Sequence, residues 1–328
     1  MGIGLLLVGF FTFVELNCEN LFDCIDDTLK HDEEFLPEGS YQWNRTRYWR
    51  KLDAIGKEIL ACGEFSPDFS VDEEAERDLD FQLPDLVALC EVESDSCLHD
   101  LTRRSLLRNA RYQYVMTDSP DERGVDVALL WSPFTFRMLS YHSLRVTPPQ
   151  GMRWTRDILY VCGKVRGDDT LHVFVAHAPS RSGGAAATEP YRLLVAERIC
   201  EAVDSIRHLQ PNARIIVAGD MNAYTADKSI RRLTEGGLQD LSEKARGRHG
   251  AEGTYRYHGE WGSLDHILAS EAMAARLCGC YVFDAPFLLV EDETNGGFKP
   301  FRTYLGPRYL GGFSDHLPLV ARFRAFGR

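Results

Sequence analysis

Three features of the 328-residue sequence predict a mixed α/β or α+β protein with interior sheets covered by helices. Short aliphatic and β-branched runs recur along its length, helical periodicity separates some of them, and a composition of 44% hydrophobic and 26% charged residues is that of a packed globular chain. Taken in order, Phe11-Thr12-Phe13-Val14-Glu15-Leu16 reads as a first strand. Trp49, Leu52, Ile55 and Ile59 then recur at three- and four-residue steps, which predicts an amphipathic helix. Apolar runs at 86–90, 125–131, 158–165 and 171–176 read as strands. Leu194, Ile199, Val203 and Ile206 mark a second helix, which Thr188-Glu189-Pro190 is expected to open, with proline in the first turn. Runs at 215–218, 264–269 and 317–323 complete the strands. There is no internal repeat and no Gly/Ser linker, so residues 1–328 read as one domain.

Two segments depart from this texture. Residues 1–10 begin an almost wholly apolar run that extends to Val14. It lacks a basic n-region and is shorter than the ~20 apolar residues a membrane span needs. Its overlap with the first strand favours retention and a cytoplasmic location, while a partial export signal stays open. Residues 68–80, dense in acid and poor in aliphatics, read as a solvated insertion. Nine cysteines occur without a Cys-x-x-Cys, and Cys278-Gly-Cys280 has no second pair or His cluster beside it; reduced, mostly buried thiols are expected. The net charge of −12 argues against a protein that holds nucleic acid by bulk electrostatics, but not against an enzyme that meets a phosphodiester locally.

Five segments share one design, an apolar strand ending in carboxylate, amide or imidazole groups. They are Leu16-Asn17-Cys18-Glu19-Asn20, Leu86 to Glu93, Val173 to Gly184, Ile215 to Asn222, and the pair Leu264-Asp265-His266 and Ser314-Asp315-His316. On a regular strand Glu91 and Glu93 share a face, and either could reach a hard cation, which prefers such oxygen donors. His177 follows a buried strand directly, where it could hydrogen-bond a phosphoryl oxygen or move a proton. Ser180, Arg181 and the glycine pair after them could cradle an anion. Asp220 and Asn222 point the same way if strand geometry persists. Asp265 could orient an imidazole and favour its charged form, whereas His266 alternates away and reads as structural.

These motifs, in this order and at these approximate spacings, resemble the endonuclease/exonuclease/phosphatase superfamily, which includes deoxyribonuclease I. The resemblance runs from about Phe11 to Phe323. It implies a four-layer α/β sandwich of two packed mixed β-sheets flanked by helices. It also implies Mg²⁺ or Mn²⁺ held mainly by Glu91, with Asn17 and Asp315 nearby. Asp220 would orient or deprotonate the attacking water, with Asn222 beside it. His316, paired with Asp265, and His177 would face the scissile phosphate. The expected activity is hydrolysis of a phosphodiester, first of all in DNA or RNA; the alternative is a small or lipid-linked phosphate, as in inositol phosphatases and sphingomyelinases. A catalytically silent binding module is a third reading, disfavoured by the intact set of site residues.

Glu93 has no counterpart in the better-known nucleases of that superfamily. Arg123, Arg156 and Arg302 are candidate phosphate or substrate contacts, each of which taken singly reads more readily as an ordinary structural or surface arginine, and Arg123 joins Ser180 and Arg181 as an expected phosphate-binding residue. Tyr255, Tyr257 and Trp261 could stack on a base or sugar; packing of their loop on the core is the favoured expectation. The partner expected is a phosphate-ester substrate, with no stable membrane span and a monomeric chain; the sequence lets no protein partner be inferred.

Overall fold

Alternation within the strands builds the layers. In the computed structural model, which describes residues 10–64, 82–150 and 152–326, the first strand is β1 (Phe10–Leu21). Phe11 and Phe13 pack into a core between two sheets, while Val14, Leu16 and Cys18 face a helix-covered core on the other side. Most of the apolar run 1–10 and the whole acidic insertion 68–80 lie outside the described residues.

The first sheet adds β2 (Leu86–Val92), β3 (Gln113–Met116), β4 (Asp126–Trp131), β13 (Leu277–Val282) and β18 (Leu319–Arg324), in the spatial order β13-β18-β1-β2-β4-β3. The second holds β5 (Phe136–Leu144), β6 (Ile158–Val165), β7 (Thr170–Val175), β8 (Arg214–Asp220), β9 (Gln239–Asp240) and β12 (Asp265–Ala269), in the order β5-β6-β7-β8-β12-β9. Both are mixed: β1–β2 and β7–β8 run parallel and the remaining pairs antiparallel. Three two-stranded hairpins, β10–β11 (Tyr255–Tyr257 and Glu260–Gly262), β14–β15 (Leu289–Glu291 and Phe298–Pro300) and β16–β17 (Tyr304–Leu305 and Arg308–Tyr309), stand apart from the two sheets.

Leu86, Ala88 and Cys90 of β2 meet Val173, Val175, Ile216 and Ala218 of the second sheet in the central core. Outside the first sheet lie α1 (Arg45–Ala61) and α2 (Asp95–Arg103), whose Leu52, Ile55, Ile59, Leu98 and Leu101 pack on Val87 and Leu89. Outside the second lie α3 (Ala185–Leu209) and α4 (Lys228–Glu235), with Val195, Ile199 and Val203 on Phe174, Ile215 and Val217. The short α5 (Glu271–Ala274) follows β12. The result is helix, sheet, sheet, helix, the four-layer sandwich expected. Each fully buried Leu or Ile in these layers contributes about 1.5–3 kcal/mol through burial.

Helix α1 starts where the sequence implies, with the Asn44 side chain accepting from the N–H groups of Thr46 and Arg47. Helix α3 corrects the expectation: it begins at Ala185, and Pro190 lies inside it, beyond the first turn. The alanine run 185–187 has high helix propensity, and Arg192 anchors this first turn by donating to Ala185 O and Thr188 Oγ1. Strands β5 and β13 had no sequence signal because they are sheet edges. Most of β5 between Arg137 and Ser143 is exposed, so the alternation that marks a half-buried strand is missing. All nine cysteines are unpaired; five are buried and only Cys278 is exposed. Among the described residues no helix is long and apolar enough to cross a membrane.

Candidate active site

The faces that build the central core also deliver the polar groups at its end. On β1 the series Phe11, Phe13, Glu15, Asn17 looks toward the second sheet. On β8 and β12, Asp220 stands directly opposite Asp265 in antiparallel register, on the same face as Ala218 and Ile267. The strands end together in a pocket of about 580 Å³ lined by Asn17, Glu91, His177, Asp220, Asn222 and His316 among others. Two closely packed backbones bring β7 and β8 to this point. Gly219 sits at φ +140°, and a Cβ there would fall 1.8 Å from Ala176 O, so only glycine fits.

Asp220 is the hub. Its carboxylate accepts from Asn17 Nδ2 at 3.0 Å, Asn222 N at 2.8 Å and Asn222 Nδ2 at 3.2 Å. His177 Nε2 lies 3.6 Å and His316 Nε2 4.0 Å from its Oδ2. Asp220 and Asn222 converge although strand geometry does not persist, because Asn222 adopts φ +48° beyond the strand end. Burial, then the neighbouring Asp265, push the Asp220 carboxyl up to about 7, against the opposing pull of His316 and the Asn222 N–H.

His316 Nδ1 lies 2.7 Å from Asp265 Oδ2, and Thr254 Oγ1 donates to the same oxygen at 2.5 Å. Burial alone would lower the His316 pKa; Asp265, Asp220 and Asp315 reverse this and hold the imidazole well above its ordinary 6.5. His177 is the opposite case. Burial, and then Arg156, Arg123 and His316, depress it well below 6.5, and its Nδ1 has no partner among the described residues. The site therefore holds one charged and one neutral imidazole beside an acid poised near neutrality. Glu15 lies beneath them, fully buried and raised well above its ordinary value by burial and by Asp265 and Asp220.

The structure separates Glu91 from Glu93, contrary to the shared face expected. Regular alternation would turn Glu91 toward the helices with Val87 and Leu89. Instead Glu91 has φ +62° at a register shift between Cys90 and Val92, so Val92 takes the helix-facing position and Glu91 lines the pocket. A non-glycine residue in this region costs of order 1–3 kcal/mol, an outlay seen at functional sites. Glu93 instead accepts from Asp23 N at 2.6 Å and groups with Asp23 and Cys97, outside the pocket lining.

The carboxylates differ in their availability to a cation. Glu91 Oε2 accepts from Asn20 N at 2.9 Å, but the nearest guanidinium nitrogen to Oε1, on Arg123, stands 3.7 Å away, and the neutral His177 Nε2 3.8 Å away. Asp315 pairs with Arg302 at 3.0 Å. Glu19 also lines the pocket but is engaged by Arg302 Nε at 3.2 Å and Thr303 N at 2.5 Å; burial and Asp315 push it up to about 7. Asn17 Oδ1 accepts from Glu19 N. Glu91, Asn17 and Asp315 thus offer the hard oxygen donors Mg²⁺ or Mn²⁺ prefers, with Glu91 the freest. Asp220, Asp265 and His316 lie close enough together to hold an ion. His316 Nδ1 is engaged by Asp265 and the Asp220 carboxylate by Asn17 and Asn222, so we read Asp220, Asp265 and His316 as an acid–imidazole set held by hydrogen bonds.

Of the expected phosphate contacts, Ser180 and Arg181 line the pocket. Arg181 is held by Asp227 at 2.6 Å and lies over the Tyr224 ring at 4.6 Å. Arg123 sits outside the pocket lining and donates to Asn20 Oδ1 at 2.6 Å. Arg156 is a buried strut whose guanidinium donates to His177 O and Ala178 O, each at 3.2 Å, and holds the turn that carries His177. Arg302 reaches the pocket, between Glu19 and Asp315. His266 is structural as expected, buried between Asp240 and Ala223 O. The favoured packing role is corrected for two of the aromatics: Tyr255 and Tyr257 line the pocket, while Trp261 packs on the central core. Tyr224 had no motif to announce it.

A two-sheet α/β sandwich with acid and imidazole groups gathered at the end of its central core defines a hydrolase-like site. The sequence matches the Endonuclease/Exonuclease/phosphatase family over residues 12–324, and the chain belongs to that family, which places it among the phosphate-ester hydrolases. Solved structures share the fold. A family protein from Bacteroides thetaiotaomicron is 14% identical over 96% of this chain and 97% of its own, with a TM-score of 0.59. A mannosyl-6-phosphatase from the same organism is 16% identical, covering 95% and 98%, with a TM-score of 0.58. The human nocturnin catalytic domain with bound sulfate is 17% identical, covering 97% and 98%, with a TM-score of 0.55. At such identities the likeness is one of fold. A comparison with curated protein sequences finds no match.

Proposed function

We propose that the chain is a divalent-cation-dependent phosphodiesterase, a nuclease first of all. The observation that carries this reading is the pairing of Asp220 with the Asp265-supported His316 across 4.0 Å of pocket floor. An acid titrating near 7 suits a general base, and an imidazolium held charged by a buried carboxylate suits a donor to an oxyanion.

In the reaction, water forms a bond to phosphorus, Asp220 takes its proton, and the bond to the leaving oxygen breaks. Asn222 and Asn17 hold the Asp220 carboxylate in place. His316 donates to a non-bridging phosphoryl oxygen as negative charge grows, and His177, neutral, offers a second contact there. Ser180 and Arg181 bind the phosphate, with Arg123 at the rim beside Glu91. Glu91, with Asn17 and Asp315, would hold Mg²⁺ or Mn²⁺, which when bound neutralises phosphoryl oxygens and supports the leaving group.

The net charge of −12 favours a second reading, hydrolysis of a small phosphate ester, since a long duplex is usually held by many Lys and Arg contacts. A substrate panel decides between them: duplex and single-stranded DNA, RNA, inositol phosphates, sphingomyelin and an aryl phosphodiester, each with Mg²⁺, Mn²⁺ or EDTA. EDTA-sensitive cleavage of nucleic acid is expected. Cleavage of non-nucleic substrates alone replaces the first reading with the second, and no EDTA-sensitive activity on any of them sinks both.

A further inference from the structure

The hairpin β10–β11 turns through His258 and Gly259, at φ 50° and 86°, the paired positive φ values of a type I′ turn. Its register sets Tyr255 opposite Gly262, Arg256 opposite Trp261 and Tyr257 opposite Glu260, and directly opposed residues share a face. Arg256 and Trp261 take the anchoring face. The Arg256 guanidinium lies 5.6 Å from the Trp261 ring and donates to Gly259 O and Gly296 O, and Trp261 packs on the central core.

The other face presents Tyr255 and Tyr257. Gly262 leaves room beside them, which the Tyr224 ring fills: a Cβ on Gly262 would come within 2.5 Å of Tyr224 Cε1. All three tyrosines line the catalytic pocket. They begin at the reaction centre, with Tyr255 4.9 Å from the His316 ring and Tyr257 near-parallel to Tyr255 at 6.5 Å and 15°. Backbone pairing of Tyr255 with His316, and Leu317 N donating to Thr254 O, fix the platform to the catalytic loop. Tyr257 is 61% exposed and Tyr224 40%, so these rings are held out toward solvent.

We propose that this tyrosine floor is a subsite for a flat aromatic ring carried by the phosphate ester, as a nucleobase is, in preference to an open-chain polyol or an acyl tail. Every base offers a π-face to such a platform, and stacking there needs no hydrogen-bond readout. The inference rests on the proposed phosphoesterase reading for placing the phosphate at His316, and adds what must be attached to it.

The test is isothermal titration calorimetry with Ca²⁺, using thymidine 5′-monophosphate, methyl phosphate and glucose 6-phosphate as probes. The proteins are the wild type, Tyr257→Ala and Tyr224→Ala. Thymidine monophosphate is expected to bind the wild type at least tenfold more tightly than methyl phosphate, and each substitution to cut that preference at least threefold. Equal affinities in the wild type, a preference untouched by both substitutions, tighter binding of glucose 6-phosphate, or no binding of any probe overturns the proposal. Binding is read without turnover. A protein that shows the preference but hydrolyses no ester therefore loses the phosphoesterase reading and keeps this one.

Discussion

Asp265→Asn isolates the charge behind His316. The carboxylate oxygen and Nδ1 are 2.7 Å apart and both side chains are buried, Asp265 completely. At an effective dielectric of about 20, unit charges at that separation attract by roughly 6 kcal/mol. This attraction opposes the burial that would otherwise lower the imidazole. An asparagine keeps the shape and removes the charge, so His316 is expected to fall back toward neutrality at pH 7. Its hydrogen bond to a developing oxyanion would lose its charge assistance, worth about 3 kcal/mol, or about a hundredfold in turnover. The assay is steady-state hydrolysis of an aryl phosphodiester with Mg²⁺, alongside NMR titration of the His316 ring from pH 5 to 9 and a thermal melt to confirm folding. A folded variant whose His316 stays protonated at pH 8, or whose turnover remains within tenfold of wild type, would refute the reasoning.

Three further outcomes are expected. Asp220→Asn and His316→Ala should each lower turnover at least about a hundredfold with an unchanged circular dichroism spectrum; near-wild-type rates in folded variants would remove both residues from the mechanism. Glu91→Gln should raise the Mg²⁺ or Mn²⁺ concentration for half-maximal activity at least about tenfold and weaken metal binding by calorimetry, because it deletes the freest hard-oxygen ligand; unchanged metal affinity counts against Glu91. Glu58, fully buried on α1 with neither oxygen hydrogen-bonded among the described residues, is pushed up to about 8 from its ordinary 4.5, by burial against the opposing pull of Lys51. Between those values the folded chain binds the extra proton, so stability is present at low pH and declines as pH rises, by at most about 5 kcal/mol. Glu58→Met should remove that decline, and urea unfolding at pH 5 and pH 8 should show an advantage that grows with pH; a pH-independent difference would refute the assignment.

The layers and much of the site were legible in the residue order because strand alternation is local. Phe11, Phe13, Glu15 and Asn17 step along one face of β1, and the same two-residue period carries Ala218 to Asp220 and Ile267 back to Asp265. Cooperating apolar runs that end in acids or imidazoles therefore announced both the central core and the groups at its end. His266 was read correctly as structural by the same period. The acidic and imidazole positions owe their recognition as one site to the family's motif order, since no single segment carried it.

Packing decided the rest, because it sets relations the two-residue period cannot express. The positive φ of Glu91 breaks the alternation of β2 and turns that carboxylate into the pocket while leaving Glu93 outside it. Arg302, Glu19 and Asp315 meet only because hairpin β16–β17 and the β1 end are brought together across some 280 residues. Tyr224 lies against Gly262 through contact between the loop after β8 and hairpin β10–β11, an arrangement with no local signature. The residue order alone settles which side chains face the space between the sheets wherever the strands stay regular, as β1, β8 and β12 do. The shifted pKa values, the freedom of Glu91 and the tyrosine floor came from the tertiary structure, since burial and the distance between charges exist only once the two sheets close on each other.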